Sequence, residues 1–215
     1  MKSVLLIGLG RFGTNLALKL NELGHEVMAV DYDEECVDNI LPIVTNAQIG
    51  DATNQDFLET LGIQNYDVCF VAIAHNFQSS LETTSLLKEM GAKLVVARTE
   101  TDIQKKFLLR NGADEVVFPE AQMARWAAMR YSADHILDYI ELDEGHSIVE
   151  VSMPRSWVGK TLGQIDVRRK HGVNILALKR NGQMIMNLQA DTVFASNCTL
   201  LVLGDMRTLR RTFDI

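Results

Sequence analysis

The feature that most narrows the fold is a glycine-rich turn, GLGRFG at residues 8–13. It follows the apolar run Val4–Ile7 and precedes a stretch with apolar residues at Leu16, Ala17, Leu20 and Leu23. The turn therefore lies where a strand becomes a helix. Gly8, Gly10 and Gly13 fit the pattern G-x-G-x-x-G, with Arg11 and Phe12 between the last two. Glycines at this spacing let the backbone approach a pyrophosphate, while the helix N-terminus offers amide donors and the positive end of its dipole. An acid follows at the expected distance: Asp31, 21 residues after Gly10 and at the end of the next apolar run. Its carboxylate suits the ribose hydroxyls of an adenosine and repels a 2′-phosphate, which disfavours NADP.

Strand and helix signals alternate as far as residue 135. Strands are expected at Ser3–Ile7, Glu26–Val30, Thr45–Gly50, Asp67–Ile73, Lys93–Arg98 and Glu115–Phe118, with helices at 11–23, 33–38, 54–61, 76–90 and 101–110. The strands read as near-continuous apolar runs, the mark of a parallel sheet buried on both faces. The expected class is α/β, a Rossmann-like doubly wound parallel sheet. A longer helical pattern from Glu120 to Leu137 carries Met123, Trp126, Ala127, Met129 and Ile136 and reads as a crossover helix over 120–138. Its apolar positions serve either intrachain packing or a partner subunit. From Tyr139 the texture changes. Residues 148–151 alternate, 162–170 read as a helix, and Asn174–Lys179 and Met184–Asn187 flank the turn Arg180-Asn181-Gly182. The run 199–203 and a last helix at 206–213 complete a small α+β domain over 139–215, set after a nucleotide-binding domain over 1–119.

The carboxyl edge of such a sheet is where ligands bind. It brings together Asp51 and Ala52 after the third strand, Ile73, Ala74 and His75 after the fourth, and Arg98 and Glu100 at the fifth. Asp51 reads equally as an acceptor for an adenine amino group and as the N-cap of the following helix. Arg11 stands in a helix first turn, where the dipole disfavours a cation. It is either a solvated surface residue or a group that pairs with phosphate oxygens.

Other function classes are constrained by composition. The formal net charge of −7 argues against a nucleic-acid binder. Cys36, Cys69 and Cys198 are odd in number and far apart, so neither a disulfide framework nor a zinc site is expected; Cys69, within Val68–Val71, reads as a buried packing residue. No run of about 18 apolar residues is present, so no membrane-spanning helix is expected, and the first residues lack the pattern of a signal peptide. An NAD-dependent oxidoreductase needs an acid–base group; the later domain offers only His146 and His171, with no charge constellation around them. A stand-alone nucleotide-binding module remains an alternative, and no enzymatic activity is expected.

Together, the segments "LLIGLGRFGTNLALKLNELGHEVMAVDYD", "GDATNQDFLETLGIQNYDVCFVAI", "LLKEMGAKLVVART", "LLRNGADEVVFPE" and "RRKHGVNILALKRNGQMIMN" resemble the regulator-of-potassium-conductance (RCK) family, in its Ktr/Trk type. The resemblance covers nearly the whole chain. It implies a cytoplasmic regulatory subunit, peripheral to the inner face of the cell membrane, that gates a membrane potassium channel or transporter. Homodimers assembling into an octameric ring, and ATP, ADP or NAD(H) as ligand, are implied in the same way. The family's glycine loop falls on Gly8, Gly10 and Gly13, its ribose acid on Asp31 and its adenine-proximal pair on Asp51 and Ala52. Its γ-phosphate arginine, which reaches a neighbouring subunit's nucleotide, falls on Arg11. The family's divalent-cation glutamate (Mg²⁺ or Ca²⁺ at the dimer interface) falls on Glu120, which as a bare residue is equally an ordinary helix-start acid. Some members bind cyclic di-AMP. Arg168 and Asn174 suit that site, but "NLQAD" lacks the proline that often accompanies it, so this ligand is not among the expectations.

Overall fold

The computed structural model describes residues 1–143 and 145–215. The chain divides into two compact units, Met1–Ala121 and Gln122–Ile215.

The first unit alternates strand and helix. In order these are β1 (Ser3–Ile7), α1 (Arg11–Glu22), β2 (Glu26–Asp31), α2 (Glu34–Ile40), β3 (Asn46–Ile49), α3 (Gln55–Leu61), β4 (Val68–Val71), α4 (Phe77–Glu89), β5 (Val95–Arg98), α5 (Asp102–Arg110) and β6 (Glu115–Val117). The strands pair in parallel in the order β3-β2-β1-β4-β5-β6. That is the doubly wound order, with its switch point between β1 and β4. The apolar runs of β1, β4 and β5 are continuous because these central strands bury both faces, whereas the edge strands β3 and β6 are exposed or half-buried. Leu5 and Ile7 pack into one core with Leu58, Leu87 and Leu108, while Leu6 packs into another with Ala17, Val37 and Ile40. Cys69 is fully buried in the first of these, and desolvation pushes its thiol up to about 12.

Helix α6 (Pro119–Tyr131) begins in the first unit and ends in the second. The expected helix over 120–138 is therefore corrected: it stops at Tyr131, and β7 (Ile136–Glu141) follows. A register shift between Ile136 and Asp138 places Ile136 and Tyr139 both in the core, three residues apart.

The second unit continues with β8 (His146–Ser152), α7 (Leu162–Ile165), α8 (Val167–His171), β9 (Asn174–Arg180), β10 (Gln183–Ile185), β11 (Cys198–Asp205) and α9 (Met206–Phe213). Its strands form an antiparallel sheet in the order β10-β9-β11-β8-β7. The helix expected over 162–170 is broken into α7 and α8 at Asp166, which adopts a left-handed φ of 52°. Phe194, fully buried and stacked on Trp157 at 6.2 Å, centres this unit's core with Leu178, Leu200 and Leu209. Among the described residues, no helix is long and apolar enough to cross a membrane.

Candidate functional site

The carboxyl ends of β1 to β5 and the first turn of α6 surround a cavity of about 880 Å³. Its floor is the glycine loop. Gly8 has φ of +97°, and its amide donates to the Val30 carbonyl at 2.8 Å. A Cβ there would meet the Ala72 and Ile73 backbone at 3.0 Å, and one at Gly13 would lie 1.9 Å from the Gly8 carbonyl oxygen. These two glycines let the loop, β4 and α1 close on one another. Gly10 differs: a Cβ at this position meets nothing within 4 Å. Gly10 lines the cavity, so its missing side chain leaves room for a ligand.

Helix α1 ends here without a cap. Gly10 has no side chain to offer, and the first turn holds no acid. The first helical bond runs from the Thr14 amide to the Gly10 carbonyl at 2.9 Å, so the amides before it have no acceptor within the helix. The next four helices are each capped by a side chain: Asp33 on α2, Asn54 on α3, Asn76 on α4 and Thr101 on α5. The uncapped amides of α1, beside a position open to the cavity, fit a pyrophosphate. Arg11 is the first residue of this helix, exposed and on the cavity wall.

Asp31 closes β2 on the other side of the loop. One carboxylate oxygen accepts from the Leu9 amide at 2.6 Å and the other from the Asp33 amide at 3.0 Å. Each oxygen keeps a lone pair for a ribose hydroxyl. Asp51 is not a helix cap. Asn54 caps α3, whereas one Asp51 oxygen accepts from the hydroxyl of Thr53 at 2.7 Å and its amide at 2.9 Å. Those two bonds, the hydroxyl's first, hold the Asp51 carboxyl below the ordinary range against slight desolvation.

At the far end Arg98, only 8% exposed, donates from Nη2 to Glu100 Oε1 at 3.3 Å and also to Glu120 Oε1. Partial desolvation raises the Glu120 carboxyl, but its own backbone amide and the Arg98 guanidinium outweigh this and leave it lowered. No group of three or more His, Cys, Asp or Glu able to hold a metal occurs among the described residues. Glu120 alone, already paired with Arg98, does not make a cation site in one chain.

All the sequence candidates except Gly13 line this one cavity, including Phe12, Ala52, Ile73, Ala74 and His75. Gly13 sits behind it as a packing glycine. The sequence reading passed over Tyr32, Asp33, Cys36, Thr53, Asn76 and Ser79, which also line it. Asp33 and Asn76 had a signal, since each is an N-cap type at a helix start on the ligand edge. Arg168 and Asn174 line a separate cavity of about 340 Å³ in the second unit.

Comparison with known proteins identifies the domains and their relatives. The TrkA-N domain family matches residues 4–119 and the TrkA-C domain family residues 146–215. Ktr system potassium uptake protein C of Bacillus subtilis is 40% identical over 98% of this chain and 95% of its own length. Protein A of the same system and organism is 35% identical, with the same coverage. Among solved structures, the GsuK RCK domain superposes with a TM-score of 0.71 at 17% identity, over 99% of this chain and 47% of that one. The GsuK channel bound to NAD gives 0.69 at 17%, over 97% and 38%. The chain thus spans less than half the length of these solved chains, and at such identities they show the fold alone. With a TrkA-N domain over more than half its length, a TrkA-C domain after it and Ktr proteins as near-full-length relatives, the chain belongs to the RCK family, in its Ktr type.

Proposed function

We propose that the chain is a nucleotide-binding regulatory subunit of a potassium uptake system, a sensor and not an enzyme. The observation that carries this is the uncapped N-terminus of α1, with Gly10 open to the cavity and Asp31 beside it. An adenine nucleotide, ATP, ADP or NAD(H), fits this chemistry. The amides of α1 receive the phosphates, Asp31 holds the ribose, and Asp51 and Ala52 face the adenine. The names of the Ktr relatives supply the physiological setting of potassium uptake. A binding protein without chemistry acts through shape, by holding its ligand more tightly in one state than another. Homodimers in a ring, expected to be octameric, would transmit that shape to a membrane potassium transporter from its cytoplasmic side. Helix α6 has no buried residue, and Met123 and Tyr131 are 57% and 75% exposed, which leaves it a surface for a second copy. A divalent cation at Glu120 would need oxygens from that copy or from the nucleotide.

Thermal unfolding with ATP, ADP, NAD and NADH in parallel tests the ligand. A nucleotide at 100 times its Kd adds about 2.7 kcal/mol, and the absence of any shift refutes the reading. Light scattering should give an assembly well above 24.1 kDa, and potassium flux in vesicles holding the transporter should respond to exchange of ATP for ADP. A persistent monomer or an indifferent flux removes the gating role.

A further inference from the structure

The glycine loop does not account for the far end of the cavity. In the sheet order β1-β4-β5, Arg98 closes a strand two positions from the glycine loop's own strand, about 10 Å at the usual spacing. There one nitrogen, Nη2, serves both Glu100 and Glu120, while the buried Nε has no acceptor among the described residues. A buried N–H without a partner is held at a cost, so this guanidinium gains from a new acceptor. One cation facing two carboxylates also leaves this end with a net charge of −1. A phosphate arriving here competes with the carboxylates for Arg98.

The two acids are not equally placed to yield. Glu100 lies two residues from Arg98 on the same segment and cannot travel far. Glu120 is 22 residues away, in the first turn of α6, with its side chain 58% exposed. Once free it returns to water and keeps the favourable end of the helix dipole, so its release costs little.

We propose that Arg98 and Glu120 form an ion-pair latch that a terminal phosphate opens: Arg98 passes from Glu120 to the phosphate, and the first turn of α6 comes free of β5. The inference rests on the nucleotide reading of the cavity. It makes Arg98, within the same chain and alongside Arg11, a residue that distinguishes a triphosphate, which reaches the β5 end, from a diphosphate, which stops over the glycine loop. It also carries that distinction into α6, the helix that runs on past Ala121.

The test measures ATP and ADP binding to the full chain in the presence of a chelator, so that no divalent cation bridges Glu120 to a phosphate. The variants are Glu120→Gln, Arg98→Gln and the double substitution, with Arg98→Lys in place of Arg98→Gln if the latter does not fold. Glu120→Gln removes the competitor at an exposed position and should tighten ATP by about tenfold, roughly one charge-assisted hydrogen bond regained, with ADP changed less than about twofold. The gain should vanish in the Arg98 background. Amide exchange across residues 119–125 should rise with ATP and not with ADP. Unchanged or weaker ATP binding by Glu120→Gln overturns the latch. So does a gain equal for ADP, or one that survives without Arg98, since either reflects only a removed negative charge. If Asp31-dependent nucleotide binding is present and these results fail, only the latch falls; if no nucleotide binds at all, the reading of the cavity falls with it.

Discussion

Alanine introduced at Gly10 or at Gly13 is the same chemical change three residues apart, and the structure assigns the two substitutions opposite outcomes. At Gly13 the new Cβ lies 1.9 Å from the Gly8 carbonyl oxygen and 3.0 Å from its carbon. Both are backbone atoms, so no side chain can rotate away. The glycine loop and α1 must part by more than 1 Å, an overpacking that costs about 1–3 kcal/mol. For a chain of this size that lowers Tm by roughly 2–12 °C. At Gly10 the backbone is φ −64°, ψ −176°, open to any residue, and the Cβ meets nothing within 4 Å. The loss of unfolded-state entropy favours Gly10→Ala by about 0.4–1 kcal/mol, and the poorer N-cap offsets it by a similar amount. Its stability without ligand should match wild type to within about 1 kcal/mol. Its methyl group nevertheless occupies the space a pyrophosphate needs. Thermal unfolding with and without saturating nucleotide reads both effects: Gly13→Ala shows a lowered Tm without ligand, and Gly10→Ala a normal Tm that nucleotide no longer raises. A Gly10→Ala protein with the full nucleotide shift, or a Gly13→Ala protein as stable as wild type, refutes the assignment of the loop.

Asp31→Ala removes the acceptor of the buried Leu9 amide, so it should lower stability without ligand by about 1–3 kcal/mol and weaken every adenine nucleotide; unaltered affinity for all of them would contradict the ribose role. Acid should destabilise the first unit through Asp67 and Asp114. The Asp67 carboxyl is lowered by the Ser3 amide and then by Lys93; that of Asp114 is raised by desolvation but lowered overall by Lys88 and the Val95 amide. A depressed folded-state value gives stability that is present above the unfolded value of about 3.9 and is lost as pH falls through the folded one. Asp114→Asn should therefore be less stable near pH 7 and show a smaller fall between about pH 5 and 2, measured by denaturant unfolding. Phe194→Ala should cost the second unit about 3–5 kcal/mol, with nucleotide binding by the first unit retained; loss of both together would show that the cavity depends on that core.

The doubly wound sheet was legible because its physics is local. Val4–Ile7 is apolar throughout since Leu5 and Leu6 enter different cores, and the glycine spacing with Asp31 follows from what a βαβ turn must accommodate. The misreadings came from features a period cannot carry. Ile136 and Tyr139 share a face only through a register shift, and Asp166 splits a helix by one left-handed residue. Asp51 and Asn54 are both cap types, and only the turn geometry decides that Asn54 does the capping. Arg98 was placed on the ligand edge by strand order, while Glu120 was singled out only as a helix-start acid and by the family resemblance. Their pairing was not readable, because it depends on where β5 stops relative to the first turn of α6.

Helix α6 is about 20 Å long at 1.5 Å per residue, and no residue in it is buried. A helix of 13 residues is marginal in water without help. Alanines at 121, 124, 127 and 128 supply propensity, Trp126 and Met129 pack half-buried against the second unit's core, and the rest of the support is polar. Arg98 holds Glu120 at one end; at the other, Arg125 pairs with Glu141, Trp126 Nε1 donates to Asp138 and Arg130 donates to the Ile136 carbonyl. Exposed ion pairs weaken as added electrolyte shortens the Debye length, to about 8 Å at 0.15 M. The ion-paired share of the support of α6 therefore falls as ionic strength rises, so the fraying of this helix is sensitive to total salt, independently of any nucleotide.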